Sequence, residues 1–80
     1  MIETIEMIHR LRKLREDHYL TQKEVGKYLW INQQTYSLYE TGKREIPIDM
    51  LVRLAEFYGV SLDYILELTE DPTPYPKPKK

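Results

Sequence analysis

Two helix N-cap signals lie close together in the middle of the chain, which leaves room for only one short helix and a tight turn between them. In the segment TQKE, the Thr21 hydroxyl can accept a hydrogen bond from the Glu24 amide while the Glu24 carboxylate accepts one from the Thr21 N–H. Asn32 carries a side chain suited to cap a second helix over roughly Gln33 to Thr41. The sequence therefore predicts a pair of short, closely spaced helices.

A glycine, Gly26, falls inside the first helix of this pair, where it costs about 1 kcal/mol relative to alanine. Two explanations are open at this point. Gly26 can permit close contact with another helix, or it can be a glycine that is tolerated on the surface.

The N-terminal segment has the apolar spacing of an amphipathic helix from about Ile2 to Asp17. One side of this helix carries the apolar residues Ile5, Ile8, Leu11 and Leu14. On its outer surface we expect two ion pairs between residues one turn apart, Glu6–Arg10 and Arg12–Glu16.

Two more helices are predicted after the central pair. Pro47 and Ile48 begin a fourth helix, and Gly59 is its natural C-terminal stop. Ser61 caps a short fifth helix. Since no segment has the pattern of a strand, the predicted fold is all-α with five helices.

Charge is unevenly distributed, although the net charge is only −1. Residues 45–71 hold seven acids against the single base Arg53. Residues 22–44 hold four bases, Lys23, Lys27, Lys43 and Arg44, against two acids. The middle of the chain is therefore the part best suited to approach a polyanion.

The sequence lacks the residues and segments that several classes of protein require. It has no cysteine, which excludes disulfides and thiolate zinc sites, and its two histidines have no ligand partners at metal spacing. The start MIETIEMIHR does not resemble a signal peptide, and no apolar run is long enough to span a membrane. It also has no nucleophile–base motif and no Gly-rich phosphate loop. We expect a cytoplasmic protein without catalytic activity, cofactor, metal or membrane partner.

The C-terminal stretch DPTPYPKPKK repeats proline too often for a helix or a sheet ladder. The sequence therefore predicts one domain over residues 1–70 and a flexible tail over residues 71–80. Lys77, Lys79 and Lys80 in that tail can add nonspecific attraction to phosphate.

The order of these segments resembles the Cro and phage-repressor type of helix-turn-helix regulators, also called XRE-like. The resemblance rests on Leu20 and on TQKEV, YLWINQQTYSLYETGKREIP and LVRLAEFYGVSLDYIL, and it covers about residues 7 to 68. It implies a five-helix, lambda-repressor-like DNA-binding domain with double-stranded DNA as its partner. It also implies a transcriptional regulator, most simply a repressor, with the third helix in the major groove.

The resemblance assigns DNA-contacting roles to residues of this chain. At the N-terminal end of the third helix, carboxamides match the donor and acceptor that adenine presents in the major groove. The residues expected to contact bases are Asn32, Gln33, Gln34, Ser37 and Leu38. The residues expected to contact phosphates are Gln22, Lys23, Thr35, Thr41, Lys43 and Arg44.

The resemblance also implies an ion pair between Arg15 in the first helix and Glu40 in the third. Such a pair would remove a repulsive charge from the DNA-binding surface and fix the angle between two helices.

In the turn, this sequence departs from the family, which usually has glycine where Trp30 stands. A left-handed backbone costs an L-residue roughly 1–2 kcal/mol. Either Trp30 accepts this strain with its indole against the first or fourth helix, or the turn is rebuilt by one residue while Ile31 still points inward. We favour the first, because the spacing of Ile31 and Asn32 is intact.

The fifth helix has more apolar surface than one short helix can bury. We therefore expect a homodimer on a two-fold, operator-like DNA site, with an interface formed by Tyr64, Ile65, Leu66 and Leu68. A different function stays open, since the acidic second half also suits a protein-interaction module of the same fold, antitoxin-like or adaptor, with little DNA binding.

Overall fold

The computed structural model describes the backbone of residues 4–74 and the side chains of residues 9–74. Within that range it is all-helical, as predicted, with α1 at Thr4–Asp17, α2 at Gln22–Tyr28, α3 at Gln33–Glu40, α4 at Ile48–Tyr58 and α5 at Leu62–Ile65. None of these helices has the length and apolar composition needed to cross a lipid bilayer.

A single apolar core holds the five helices together. Each helix contributes at least one fully buried side chain, and these are Leu11, Val25, Leu29, Tyr36, Leu54 and Ile65. Burial of a side chain of this size contributes about 1.5–3 kcal/mol. Because the core draws on every helix, the positions of α2 and α3 depend on the whole domain.

The predicted N-caps are present with good geometry. The Glu24 amide donates to the Thr21 hydroxyl at 3.1 Å, and the Thr21 amide donates to the Glu24 carboxylate at 2.8 Å. The Asn32 side chain accepts from the Thr35 amide at 2.7 Å. These bonds satisfy amides that a helix leaves free at its start, so α2 and α3 begin where the sequence indicates.

The five helices all end in the same way, with a residue in the left-handed conformation. The next amide then bonds back to a carbonyl of the last helical turn, as in a Schellman motif. The left-handed residues, in chain order, are Tyr19, Trp30, Gly42, Gly59 and Glu67. After α2, the Trp30 amide donates to the Lys27 carbonyl at 3.1 Å and the Ile31 amide to the Gly26 carbonyl at 2.9 Å.

Trp30 itself has φ of 62°, and Ile31 packs against the core, as we expected for a strained turn of unchanged length. Our prediction for the indole was wrong, however. The Trp30 side chain is 88% exposed and does not lie against α1 or α4. The cause is the motif, whose left-handed residue lies outside the helix. Tyr19, in the same position after α1, is 94% exposed.

Gly26 is buried, so the surface explanation is wrong. A Cβ atom at this position would lie 3.1 Å from the Ile31 carbonyl oxygen and 3.4 Å from that of Asn32. The close neighbour is therefore the turn and not another helix. Glycine here lets the chain fold back tightly on α2 before α3 begins.

Arg10 also differs from the prediction. Its side chain is buried between α1 and α5, where it donates to the Tyr64 carbonyl and to the Glu67 carboxylate, both at 3.1 Å. Its guanidinium carbon lies 4.0 Å from the centre of the Tyr64 ring. Arg10 therefore does not lie on the outer surface, and the pair predicted between it and Glu6 falls outside the described residues, which do not include the Glu6 side chain. The Arg12–Glu16 pair is present at 3.2 Å.

The first residues after the helical domain, 71–74, make hydrogen bonds to the fold and to each other. The Pro72 carbonyl accepts a hydrogen bond from the Ser61 amide at 3.1 Å, and the Asp71 carboxylate accepts from the Thr73 amide at 3.0 Å. The rest of the predicted tail, residues 75–80 with its three lysines, lies outside the described residues.

Replacing Trp30 with glycine should stabilise the domain. Glycine removes a left-handed strain of roughly 1–2 kcal/mol and forfeits little burial, while its greater freedom in the unfolded chain offsets about 0.4–1 kcal/mol. We expect a net gain of about 0.5–1 kcal/mol in the free energy of unfolding, measured by urea denaturation.

The reverse change at Gly59 is the matched control. Gly59 has φ of 68° and open space around the position of a Cβ atom, so Gly59→Ala should destabilise through backbone strain alone. A loss of stability in Trp30→Gly would show that the indole makes contacts that stabilise the fold.

Candidate nucleic-acid interface

The N-terminal end of α3 presents two carboxamides to solvent. Gln33 and Gln34 are exposed, whereas Tyr36 and Tyr39 on the inner side of the same helix are buried. The helical period makes this division, and the core holds the inner side in place. The outward position of the two glutamines thus follows from the burial of the two tyrosines.

A cleft of about 380 Å³ brings the predicted base-contacting residues together. We call it the base cleft, and it is lined by Gln22, Gln33, Gln34, Ser37 and Leu38. Gln22 comes from α2 and the others from α3. Hydrogen-bond donors, acceptors and an apolar side chain therefore meet on one surface, which is the combination that base edges require.

Asn32 is exposed beside this cleft, but its side-chain oxygen is engaged as the cap of α3. Its two amide hydrogens remain to donate to an acceptor, and its oxygen has one lone pair left. In Thr41 the donor is engaged instead, because its hydroxyl donates to the Ser37 carbonyl at 2.9 Å. A phosphate accepts hydrogen bonds only, so Thr41 must release that carbonyl to bind one.

The predicted phosphate-contacting residues lie on both sides of α3. Lys43 and Arg44 follow the helix, with exposed side chains and with backbone amides that donate to the Leu38 carbonyl at 3.0 and 3.2 Å. Lys23 is exposed on α2. Thr35 is partly buried, and its amide donates to the Asn32 side chain that caps the helix.

Glu40, at the end of α3, connects three helices through one buried carboxylate. The Arg15 guanidinium of α1 donates to its two oxygens at 2.6 and 3.1 Å. The Gln22 amide of α2 donates to it at 3.1 Å. Arg15 also donates to the Leu20 carbonyl at 2.9 Å, between α1 and α2. The sequence indicated the Arg15–Glu40 pair through the resemblance, but nothing in it showed that Gln22 joins them.

The environment of Glu40 keeps its carboxylate ionised. Burial alone would raise its pKa, but the hydrogen bonds from Arg15 and Gln22 outweigh that effect, so the pKa of Glu40 lies below its ordinary value. Burial, together with the charge of Glu40, raises the pKa of both Tyr36 and Tyr58. The negative charge is therefore enclosed by an arginine and neutral phenols, and it is withheld from the surface that carries Gln33 and Gln34.

The described residues offer no metal site. Within residues 9–74, no group of three His, Asp or Glu side chains lies close enough together to hold an ion. The chemistry of this surface is that of hydrogen-bonding amides and exposed cations.

Removing the Glu40 carboxylate should destabilise the fold strongly. Glu40→Ala leaves the largely buried Arg15 guanidinium without its carboxylate and with only the Leu20 carbonyl as partner, so we expect a loss of about 3–5 kcal/mol in the free energy of unfolding. Glu16→Ala is the control, because its pair with Arg12 is exposed and contributes at most about 1 kcal/mol. Equal losses in the two variants would contradict the role of Glu40.

The same pair predicts an acid-dependent stability. Because the pKa of Glu40 is lowered on folding, its contribution is fully present above the ordinary value of 4.5 and is lost as the pH falls through the lower pKa of the folded state. Urea denaturation at a series of pH values should show this loss in the natural chain. In Glu40→Gln the dependence on pH below 4.5 should be weaker.

Comparisons with known proteins agree with this geometry. A family model described as helix-turn-helix matches residues 11–65. Over 65 residues the chain is 46% identical to the uncharacterized HTH-type transcriptional regulator YobD of Bacillus subtilis, covering 81% of this chain and 58% of YobD.

Two further relatives are a phage repressor and a regulator. The chain is 36% identical to the cryptic phage CTXphi transcriptional repressor RstR of Vibrio cholerae, covering 78% of this chain and 53% of RstR. It is 39% identical to the HTH-type transcriptional regulator ImmR of Bacillus subtilis, covering 71% of this chain and 45% of ImmR. The chain thus spans about half the length of these relatives. No solved structure matched it.

Proposed function

The chain belongs to the helix-turn-helix family, and from that premise we propose that it binds double-stranded DNA as a sequence-specific transcriptional regulator, most simply a repressor. The observation that carries this proposal is the pair of exposed carboxamides, Gln33 and Gln34, at the start of a helix whose opposite side is buried. The names of the relatives RstR and ImmR support it.

In this proposal the base cleft contacts the major groove. Gln33 or Gln34 supplies the donor and acceptor that adenine N7 and N6 require, and Ser37 serves as an additional hydrogen-bonding group. Leu38, partly buried at the edge of the cleft, supplies an apolar surface for a thymine methyl group. Specificity then comes from α3, and the rest of the domain sets its position.

Exposed cations on either side of α3 hold the DNA backbone. Lys23 before it and Lys43 and Arg44 after it can each neutralise a phosphate and release its counterions. The Gln22 amide has one hydrogen bonded to Glu40, and its other hydrogen can donate to a phosphate. Affinity should therefore fall steeply with salt, by about 0.9 in log affinity per log salt for each neutralised phosphate.

The alternative function, a protein-interaction module, predicts a different salt response. The acidic segment over residues 45–71 is the feature that favours it. A shallow slope of affinity against salt for all duplexes would support that alternative. We place the site of action in the cytoplasm and assign no catalytic activity.

A two-fold DNA site requires two copies of the domain, so the homodimer remains part of this proposal. One of the four interface residues must be withdrawn, because Ile65 is fully buried in the chain's own core, where α5 packs on α1 and α4. Tyr64 and Leu66 are partly buried, and Tyr64 lies under the Arg10 guanidinium. Leu68, 61% exposed, is then the main candidate for a contact between copies.

Base contact and backbone contact predict different responses to mutation. Gln33→Ala or Gln34→Ala should cost about 1–3 kcal/mol on the preferred duplex and relax the preference at one base pair. Lys43→Ala should weaken all sequences alike and reduce the salt slope by about one unit. The measurement is a titration of labelled duplexes at several salt concentrations. If the variants behave identically, these role assignments are wrong.

A charge at position 68 should prevent dimer formation without unfolding the domain. Leu68→Glu places a carboxylate on the proposed contact. Because Leu68 is exposed, the substitution should change the free energy of unfolding little. Sedimentation should show dimer for the natural chain and monomer for the variant. A natural chain that is monomeric both free and on DNA would refute the dimer.

A further inference from the structure

A second cleft, of about 590 Å³, lies on the other side of Gln33 and Gln34 from the base cleft. We call it the tryptophan cleft, and its walls include Lys23, Lys27, Trp30, Asn32, Gln33 and Gln34. The two clefts share Gln33 and Gln34. The base cleft and the cleft that Trp30 lines therefore adjoin each other.

Trp30 is held in place by its backbone, although its side chain is exposed. Its amide bonds to the Lys27 carbonyl, and the following amide bonds to Gly26, which has no side chain and so lets the turn approach α2. The residue thus combines two unfavourable features, a left-handed backbone and an 88% exposed indole. A strained residue at a surface beside a binding site is a reason to look for a function.

The charge of the cleft indicates the kind of molecule that fits it. Lys23 and Lys27 contribute two cations, and no Asp or Glu lines its described walls. The occupant should therefore be an anion with an apolar part that can lie against an indole ring. A sugar–phosphate strand has both properties, and it is continuous with the bases that the base cleft would contact.

We propose that Trp30 is a contact residue for the DNA backbone, a role that rests on the proposed function. Its indole packs against deoxyribose while its Nε1–H donates to a phosphate oxygen, and Lys23 and Lys27 neutralise the phosphates beside it. Such a contact positions the protein on DNA and adds affinity without selecting a sequence. The exposed indole then becomes buried only in the complex.

The chain contains a single tryptophan, so its intrinsic fluorescence reports on Trp30 alone. The probe is a short duplex selected from a random pool for binding to this chain, and anisotropy of a dye on the duplex measures binding independently. We expect saturation with duplex to reduce the quenching of Trp30 by acrylamide by roughly half or more, because quenching requires collision with the indole and the DNA would cover it.

Trp30→Ala should lower affinity for the duplex by roughly tenfold, which corresponds to one hydrogen bond to a charged acceptor. The loss should be equal for preferred and unrelated sequences. Trp30→Phe keeps an aromatic ring but lacks the N–H, so its affinity for the duplex should lie between those of the natural chain and Trp30→Ala. Tyr19→Ala is the matched control, since Tyr19 is an exposed aromatic residue at the same position of the α1 terminus and does not line the cleft.

The outcomes separate this inference from the proposed function. If the duplex binds while Trp30 stays fully quenchable and Trp30→Ala binds normally, the backbone contact is refuted and the DNA-binding function stands. If no duplex binds, both are refuted. Protection of Trp30 that rises with protein concentration in the absence of DNA would assign the cleft to a second copy of the chain and overturn the proposal.

Discussion

The ion pair between Arg15 and Glu40 is the interaction on which the rest of this surface depends. It joins α1 to the end of α3, and Gln22 extends it to α2, so one buried carboxylate relates all three helices. It also encloses an acid that would otherwise repel a polyanion. The same contacts therefore help to fix the orientation of α3 and keep a negative charge away from its outer side. The positions of the exposed Gln33 and Gln34 carboxamides depend on that orientation.

The helix termini explain the exposed aromatic residues. Every described helix ends in a left-handed residue that lies outside the helix, and after α1 and α2 the side chain at that position projects into solvent. After α5 the corresponding residue, Glu67, instead accepts a hydrogen bond from Arg10. Glycine leaves nothing there after α3 and α4, whereas Tyr19 and Trp30 present rings. After α2 this places an indole beside the residues proposed to contact DNA. A departure from the usual glycine thus alters the chemistry of the surface and leaves the length of the turn unchanged.

Local signals were sufficient for the helix starts, because the Thr21 and Asn32 caps depend on residues within one turn. Tertiary contacts were not predictable in the same way. Arg10 turns inward because the Tyr64 ring and carbonyl lie beside α1, a neighbour that is distant in sequence. Ile65 is buried for a similar reason, since a short helix packed between two longer ones has little outer surface. The roles assigned to Gln33 and Gln34 came from the resemblance and remain proposals.

The most direct test of the account is to observe the side-chain amides of Gln33 and Gln34 during DNA binding. An isotope-labelled chain is titrated with its selected duplex, and amide resonances are followed by NMR. The account predicts that the carboxamide signals of these two residues shift most among the side chains, while those of residues in α5 change little. Saturated binding with the Gln33 and Gln34 signals unmoved would contradict it.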